Sequence, residues 1–225
     1  MKIFVTGAAG QIGSELTLEL RRRYGSENVI ASDIKSPSEA LRGSGPFERV
    51  DVTQREEIAW VVGHYGIDTI YHMAAILSAV GEQNPQLAWG VNINGLYNVL
   101  EVARERKLKR IFCPSSIAVF GPATPRDNTP QETILNPTTI YGITKVAVEL
   151  LGDYYFRRFG LDVRGIRYPG IISSETLPGG GTTDYAVEIF HEAVKHKHYI
   201  SFVREDTVLP MMYMPDAIRA ASELL

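Results

Sequence analysis

Short runs of β-branched and aromatic residues alternate along this chain with longer segments whose apolar residues recur at helical spacing. The short runs predict strands, and they read KIFVT, NVIASD, FERVDV, DTIYHM, KRIFCPSS and DVRGIRY. The longer segments predict helices over residues 12–23, 54–64, 86–106 and 141–159. Repeated strand–helix–strand units build a parallel sheet with helices on both faces. We therefore predict an α/β fold with a doubly wound parallel sheet, whose ligand binds beyond the carboxyl ends of the strands.

Two segments interrupt the alternation and suggest how the chain is divided. Residues 121–137 are rich in Pro, Thr and Asn and predict a surface loop, and Pro178 to Thr183 form a second, Gly-rich break. We predict one domain over residues 1–172 and a smaller, partial lobe over residues 173–225 that is interleaved with it. The sequence stops inside a helix that begins near Pro215, so either this helix closes the fold or the chain is truncated.

Composition narrows the class of protein. The 225 residues are 44% hydrophobic and 22% charged, which is enough for one substantial core. The 23 basic and 26 acidic residues are interspersed, so we expect neither nucleic acid nor a membrane surface as a partner. The single cysteine, Cys113, excludes an internal disulfide, suits a reducing compartment and is interpreted as a buried strand residue. With no signal-peptide pattern at the start, we expect a cytoplasmic location.

A glycine-rich turn, GAAGQIG, follows the first predicted strand and contains Gly7, Gly10 and Gly13. Such a turn lets backbone N–H groups approach a pyrophosphate, which the positive end of the next helix stabilises. Glycine-rich turns also occur for packing reasons, and this spacing is not G-x-G-x-x-G. Asp33, however, ends the second strand where an acidic residue binds the adenosine ribose, with a turn or cap role as its alternative. An acidic side chain there repels the 2′-phosphate of NADP, so we predict NAD as the cofactor. The nearby Lys35 weakens this preference for NAD without reversing it.

The segment YGITK places Tyr141 and Lys145 four positions apart at the start of the last long helix. That spacing brings both side chains to one helix face, where the ammonium group favours ionisation of the phenol. A phenolate near neutral pH is a catalytic base. The alternative for these five letters alone is a chance match.

Six motifs, taken in order, resemble the extended branch of the short-chain dehydrogenase/reductase superfamily. They are GAAGQIG, HMAA at 72–75, VNINGLYN at 91–98, PSSIAVFG at 114–121, YGITK, and RYPGI at 167–171. Within the branch, the segments ILSAVGE, PSSIAVFGP, RYPGIIS, PGGGTTDYAVEIF and LPMMYMPDA are most similar to NAD-dependent L-threonine 3-dehydrogenases. The resemblance implies an NAD-binding Rossmann domain over 1–172, a partial substrate-binding lobe over 173–225, and a homodimer formed through the helices at 86–106 and 141–159.

The resemblance also implies a catalytic group. Tyr141 is the general base, Lys145 favours its ionised form and binds the nicotinamide ribose, and Ser116 binds the substrate oxygen. A hydride leaves the β-carbon of L-threonine for NAD as Tyr141 takes the hydroxyl proton, which gives 2-amino-3-oxobutanoate without a metal. We interpret Ser115 as a turn cap, and for Asn92 a structural role that joins backbone segments is at least as strong as a catalytic one.

Further binding residues are expected at the strand ends and in the turns that follow them. The predicted cofactor-binding residues are Gly7, Gly10, Gln11, Ile12, Gly13, Asp33, Asp51, Val52, Ala74, Ala75, Asn92, Tyr141, Lys145 and Tyr168. The predicted substrate-binding residues, which offer hydroxyls and amides to a small carboxylate, are Ser78, Ser116, Tyr141, Gly181, Thr182 and Thr183. A turn role explains Asp51 almost as well. His191, His196 and His198 lack the spacing of a metal site and are expected to be exposed.

Two alternative functions remain open at this stage. A nucleotide-sugar epimerase or dehydratase would use the same NAD site and the same Tyr–Lys pair, and it would need basic groups for a second diphosphate. Arg204 is the residue that most favours it. A non-catalytic NAD-binding protein is the other alternative, although it would have no need of Ser116, Tyr141 and Lys145 together.

Overall fold

The computed structural model describes residues 1–175, 179 and 181–225. Its strands are β1 (Ile3–Thr6), β2 (Val29–Asp33), β3 (Phe47–Arg49), β4 (Thr69–His72), β5 (Arg110–Phe112), β6 (Ser115–Ser116), β7 (Asp162–Arg164), β8 (Arg167–Tyr168), β9 (Gly170–Ile172) and β10 (Met211–Tyr213). Six of them form one parallel sheet in the order β3-β2-β1-β4-β5-β7. Strands are added outward on one side of β1 up to β3 and then on its other side from β4 onward. An open α/β sheet binds its ligand at such a change in strand order, here between β1 and β4. The predicted doubly wound Rossmann sheet is confirmed.

Helices cover both faces of this sheet. They are α1 (Gln11–Tyr24), α2 (Glu39–Gly43), α3 (Arg55–Tyr65), α4 (Ser78–Gln83), α5 (Pro85–Trp89), α6 (Leu96–Arg106), α7 (Ile140–Phe159), α8 (Tyr185–His196) and α9 (Met214–Leu224). A π-helical turn spans Gly90–Gly95, and 3-10 turns span Ser26–Asn28 and Ile117–Val119. No described helix combines the length and the apolar character that a membrane crossing requires.

The two faces of β1 contribute to two separate layers of core. Phe4 packs with residues of α3 and α6 such as Val99, whereas Ile3 and Val5 pack with residues of α1 and α9 such as Leu16. This alternation follows from the two-residue period of a strand. Removal of one fully buried ring, as in Phe4→Ala, lowers the free energy of unfolding by about 3–5 kcal/mol. This closely packed sheet holds the strand ends in fixed positions.

Two predicted strands are each divided in the structure. KRIFCPSS forms β5 and β6, because Pro114 has no N–H group to continue the ladder. DVRGIRY forms β7 and β8, because the chain bends at Gly165, where a Cβ would lie 2.3 Å from the Cys113 carbonyl oxygen. Cys113 is buried as predicted, but it lies between strands and not within one. The displaced ends, β6 and β8, pair with each other as a separate parallel ladder.

The helix predicted over 86–106 is interrupted. It consists of α5, the π-helical turn and α6, because the extra residue of a π-turn directs Asn92 inward. At the end of the turn, Gly95 lies against Val52, and a Cβ there would approach the Val52 Cγ2 to 2.8 Å. Sequence periodicity does not distinguish such a turn from a regular helix.

The C-terminal part of the chain packs back onto the sheet domain. β10 pairs in parallel with β9, and α9 lies against α1 in the second core layer. α9 begins at Met214, one residue before the predicted start at Pro215.

The predicted loop over 121–137 has no helix or strand. Of the predicted Gly-rich break, Pro178 and Gly180 lie outside the described residues. The boundary at residue 172 stays a prediction.

Candidate active site

The glycine turn between β1 and α1 packs tightly against the end of β4. Gly7 has a φ of +68°, and a Cβ there would lie 2.4 Å from the amide nitrogen of Ala74. A Cβ at Gly13 would lie 2.2 Å from the Gly7 carbonyl oxygen. Neither position accepts a side chain, so the glycines keep the turn narrow and its backbone accessible to a ligand.

The start of α1 offers hydrogen-bond donors at this turn. Gly10 is the N-cap, no side chain caps the helix, and its first turn contains no acidic residue. The first N–H groups of the helix and its positive end are therefore available to an anion. Gln11 adds a buried Nε2 that has no hydrogen-bond partner among the described residues. Together these donors fit the pyrophosphate of a dinucleotide cofactor.

Asp33 lies at the carboxyl end of β2, beside the glycine turn. Its Oδ2 accepts a hydrogen bond from the Ala9 amide at 3.0 Å, and its Oδ1 accepts one from the Lys35 amide at 2.9 Å. The two bonds hold the carboxylate at the edge of the turn, where a ribose would lie. Asp51 instead binds Thr53 through both the amide (2.9 Å) and the hydroxyl (2.8 Å), which is the turn role considered for it.

The Tyr–Lys pair lies on one face of α7. Thr139 caps this helix by accepting a hydrogen bond from the Gly142 amide at 3.0 Å. The Lys145 Nζ lies 5.5 Å from the centroid of the Tyr141 ring and donates to the Pro114 carbonyl oxygen at 2.7 Å. Because Lys145 is buried, its ammonium is held between the ring and the backbone that leads into β6.

Ser116 is brought to the same place by the packing of α7 against the turn after β6. Its Oγ accepts a hydrogen bond from the Ala118 amide at 3.2 Å. A Cβ at Gly142 would lie 2.3 Å from the Ala118 carbonyl oxygen, so the helix start and this turn are in close contact. The structure therefore gathers the three predicted catalytic residues, Ser116, Tyr141 and Lys145, around the start of α7.

The cap role predicted for Ser115 is wrong. Its Oγ donates to the Glu149 Oε1 at 2.5 Å, and the residue that caps the turn is Ser116. Glu149 also receives two bonds from Arg167, from Nε at 2.8 Å and from Nη2 at 2.7 Å. Burial alone would raise the pKa of Glu149, but the bonds from Arg167 and Ser115 outweigh it and leave that pKa below its usual value. Sequence reasoning missed this carboxylate, although it lies four residues after Lys145 on the same helix face.

Asn92 has the structural role that was considered for it. Its Oδ1 accepts from the Ile76 amide at 2.7 Å, and its Nδ2 donates to the Ile76 carbonyl at 3.0 Å. The same Nδ2 reaches the Thr144 Oγ1 at 3.2 Å. Asn92 thus joins the loop after β4, which contains Ala74 and Ala75, to α7.

His72 lies beneath the site and was also missed. Its Nδ1 is hydrogen-bonded to the Thr6 Oγ1 at 2.8 Å. Burial, with a smaller contribution from the charge of Lys145, lowers the pKa of His72 to about 3. The imidazole is therefore neutral beside the Lys145 ammonium.

Several predicted contact residues have different environments. The Tyr168 hydroxyl donates to the Ala217 carbonyl at 2.8 Å inside the core, which leaves only its main chain for a cofactor contact. The Gly181 amide, expected to bind a substrate carboxylate, already donates to the Asp184 Oδ2 at 2.7 Å. A Cβ at Gly170 would lie 2.7 Å from the Thr183 Cβ, so Thr183 packs against β9.

The loops proposed to bind substrate approach each other at another point. A Cβ at Gly179 would lie 3.3 Å from the Cδ1 of Leu77, the residue before Ser78. Thr182 is exposed in the turn that leads to α8. His191, His196 and His198 are exposed, as predicted. In the part of the chain that the structure describes, no three His, Cys, Asp or Glu residues are grouped to hold a metal.

Comparison with known proteins identifies the relatives of this chain. A family model described as the NAD-dependent epimerase/dehydratase family matches residues 3–225. A Staphylococcus haemolyticus protein named as an uncharacterized epimerase/dehydratase is 53% identical over 225 residues, which are 100% of this chain and 70% of that protein.

Three solved structures are similar over the whole of this chain. A partial-consensus L-threonine 3-dehydrogenase is 56% identical with a TM-score of 0.96, and the match covers 100% of this chain and 72% of that one. The holo form of a GalE-like L-threonine dehydrogenase from Cupriavidus necator is 54% identical with a TM-score of 0.95, again over 100% and 72%. The UDP-glucose 4-epimerase of Thermus thermophilus, in complex with NAD, is 26% identical with a TM-score of 0.88 over 100% and 74%.

Proposed function

Because this chain belongs to the NAD-dependent epimerase/dehydratase family, we propose that it oxidises the β-hydroxyl of L-threonine to 2-amino-3-oxobutanoate. The family membership confirms the resemblance found in the sequence and the expected dependence on NAD. One observation carries the choice of substrate: the chain is more than half identical, over its whole length, to the two L-threonine dehydrogenases described above, and only about a quarter identical to the UDP-glucose 4-epimerase.

The residues around the glycine turn bind the cofactor in this proposal. The amides at Gln11 and Ile12 hold the pyrophosphate, with the positive end of α1 behind them. The Gly10 amide, which was also expected to bind it, donates within the turn to the Gly7 carbonyl at 3.1 Å. Asp33, already fixed by the Ala9 amide, accepts hydrogen bonds from the adenosine ribose. NAD supplies the hydride acceptor, and the remaining chemistry belongs to side chains of this protein.

Proton removal from the substrate is the task of Tyr141. As the hydride leaves the β-carbon, the hydroxyl proton passes to the Tyr141 oxygen and the C–O bond becomes a carbonyl. The Lys145 ammonium, 5.5 Å from the ring centroid, stabilises the negative phenolate before that transfer. Ser116 donates to the substrate oxygen and keeps the reacting carbon in place.

A nucleotide-sugar epimerase is the second candidate function, since the match to the UDP-glucose 4-epimerase also spans the whole chain. Arg204 was the residue in its favour. In the structure its guanidinium binds Asp206 at 2.9 and 2.7 Å on the surface. A surface charge that is already paired with a carboxylate is a poor basis for a diphosphate site, so the threonine assignment is preferred.

Two further expectations belong to the same proposal. A homodimer would cover apolar side chains that α6 and α7 expose, among them Tyr97, Leu150 and Tyr154. Such pairing of long helices across a two-fold axis gives a four-helix bundle. The homodimer and the cytoplasmic location stay predictions.

A substrate panel tests the proposal. The protein is incubated with NAD and either L-threonine or UDP-glucose, and both NADH formation and sugar epimerisation are followed. We expect NADH with L-threonine and no conversion of the sugar nucleotide. Epimerisation of UDP-glucose without net NADH, together with no reaction of L-threonine, would replace this function with the epimerase one.

A further inference from the structure

Ser116 stands on a short two-stranded ladder that is separate from the main sheet. In that ladder β6 pairs in parallel with β8, and Ser115 is opposite Arg167 while Ser116 is opposite Tyr168. A pair of two-residue strands has few hydrogen bonds of its own. The position of Ser116 relative to α7 must therefore be fixed by other contacts.

Glu149 binds both strands of this ladder at once. Its Oε1 accepts from Ser115 on β6 and from the Arg167 Nε on β8, and its Oε2 accepts from the Arg167 Nη2. The two bonds from Arg167 are the bidentate geometry in which guanidinium and carboxylate interact most strongly. We call these three residues, Ser115, Glu149 and Arg167, the Glu149 cluster.

The Glu149 cluster extends an arrangement that begins at Tyr141. Tyr141, Lys145 and Glu149 follow one another at intervals of four residues and so occupy one face of α7. Lys145 binds the carbonyl of Pro114, and Glu149 binds the side chain of the next residue, Ser115. Successive turns of the helix thus hold the two residues that immediately precede Ser116.

Arg167 also contacts the loop that precedes α7. Its Nη1 donates to the Gln131 carbonyl at 2.9 Å, and its guanidinium lies 5.5 Å from the centroid of the Phe120 ring. The side chains of Arg167 and Glu149 are 17% and 25% exposed. Loss of the carboxylate would leave this largely buried guanidinium without its anion, so the ladder and the loop would both be free to move.

We propose that Glu149 is a positioning residue for the reaction: through Ser115 and Arg167 it sets Ser116 at the correct distance from Tyr141. This inference rests on the proposed function, because only a reaction at Tyr141 gives the placement of Ser116 a kinetic consequence. Its effect on turnover should exceed its effect on cofactor binding, since the glycine turn and Asp33 lie on other elements of the fold and the bond from Lys145 to the Pro114 carbonyl does not involve Glu149.

The test uses Glu149→Gln, with Ser115→Ala as a second variant that leaves the Glu149–Arg167 ion pair intact. The control is Asp153→Asn, one turn further along α7, which removes an exposed pair with Arg157 at 2.8 Å. We expect Glu149→Gln to lower kcat for L-threonine about 10- to 100-fold, the cost of a misplaced catalytic group. NAD affinity should stay within about twofold, and a combined Ser115→Ala/Glu149→Gln variant should lose less than the product of the two single losses.

A second measurement tests the positioning role of Glu149 without any substrate. Amide hydrogen exchange of residues 115–118 is followed in the NAD-bound protein, and we expect it to accelerate in Glu149→Gln but not in Asp153→Asn. If wild type does not oxidise L-threonine, the proposed function fails, and the exchange result alone supports or overturns the positioning role. Unchanged exchange, or wild-type kcat in Glu149→Gln, would overturn it. Equal losses of kcat in Glu149→Gln and Asp153→Asn would also contradict it.

Discussion

Lys145 places its ammonium 2.7 Å from the Pro114 carbonyl oxygen and 5.5 Å from the centroid of the Tyr141 ring. One buried charge therefore lies against both the ring of Tyr141, the proposed base, and the backbone that leads into β6, which contains Ser116. A lysine with this single protein acceptor at its Nζ among the described residues keeps donors for a bound ribose. In the proposed function, this side chain therefore serves proton transfer, cofactor binding and local structure.

Lys145→Ala should reduce both turnover and NAD affinity, because it removes the charge that stabilises the phenolate and a donor to the ribose. Steady-state kinetics and a fluorescence titration with NAD measure the two effects. Lys109→Ala, at a surface ion pair with Asp68, is the control and should change neither. Loss of turnover at unchanged NAD affinity would contradict the role in cofactor binding.

Asp33→Ala should weaken NAD more than NADP. In the proposed cofactor site the carboxylate accepts hydrogen bonds from the ribose hydroxyls of NAD, worth about 1.5–3 kcal/mol for bonds to a charged group, and it repels the 2′-phosphate of NADP. Asp33→Asn should lose the repulsion and keep the acceptor for the Ala9 amide, so its preference for NAD should narrow with less structural change. Dissociation constants for both cofactors test this, and equal losses for the two would contradict the assignment.

Gly142→Ala should damage both stability and turnover. The new methyl group would lie 2.3 Å from the Ala118 carbonyl oxygen and 2.5 Å from the Pro137 Cβ, so α7 must move away from the turn after Ser116. Such overpacking costs about 1–3 kcal/mol. Gly63→Ala, in the interior of α3 with only the tip of Arg106 nearby at 3.8 Å, is the matched control. Gly63→Ala should stabilise the protein by about 0.5–1 kcal/mol. Urea unfolding measures the stability of both variants, and kcat measures their turnover. Full activity of Gly142→Ala would contradict the claim that close contact between α7 and the turn after Ser116 positions the site.

The order of strands and helices was predictable because both depend on local patterns. The predicted helices over 12–23, 54–64 and 141–159 lie within one residue of α1, α3 and α7. The breaks at Pro114 and Gly165 were not predicted, since a bend that suits a neighbouring backbone has no signature in the periodicity of one segment. The same limit applies to the site. Motif and resemblance identified Tyr141 and Lys145, whereas the role of Glu149 depends on partners from two distant strands.

His72 should make the protein sensitive to acid. Burial lowers the pKa of His72 from 6.5 to about 3, so between these pH values the unfolded chain binds a proton that the folded protein does not. The free energy of unfolding should therefore decrease as pH falls from about 6.5 towards 3. His72→Gln should flatten this part of the profile. Urea unfolding at a series of pH values measures this free energy. Parallel profiles for wild type and His72→Gln would show that His72 is not the source of the acid sensitivity.

The central claim is that Tyr141 is the base for threonine oxidation, and Tyr141→Phe tests it most directly. Phenylalanine keeps the ring over Lys145 and removes the oxygen that takes the proton, so chemistry is separated from packing. Tyr154→Phe, at an exposed position of the same helix, is the control. The measurement is kcat for NADH formation from L-threonine, with the NAD dissociation constant determined on the same preparations. We predict a loss of roughly 10²- to 10⁴-fold in kcat at nearly unchanged NAD affinity, whereas substantial turnover by Tyr141→Phe would show that the phenol is not the base.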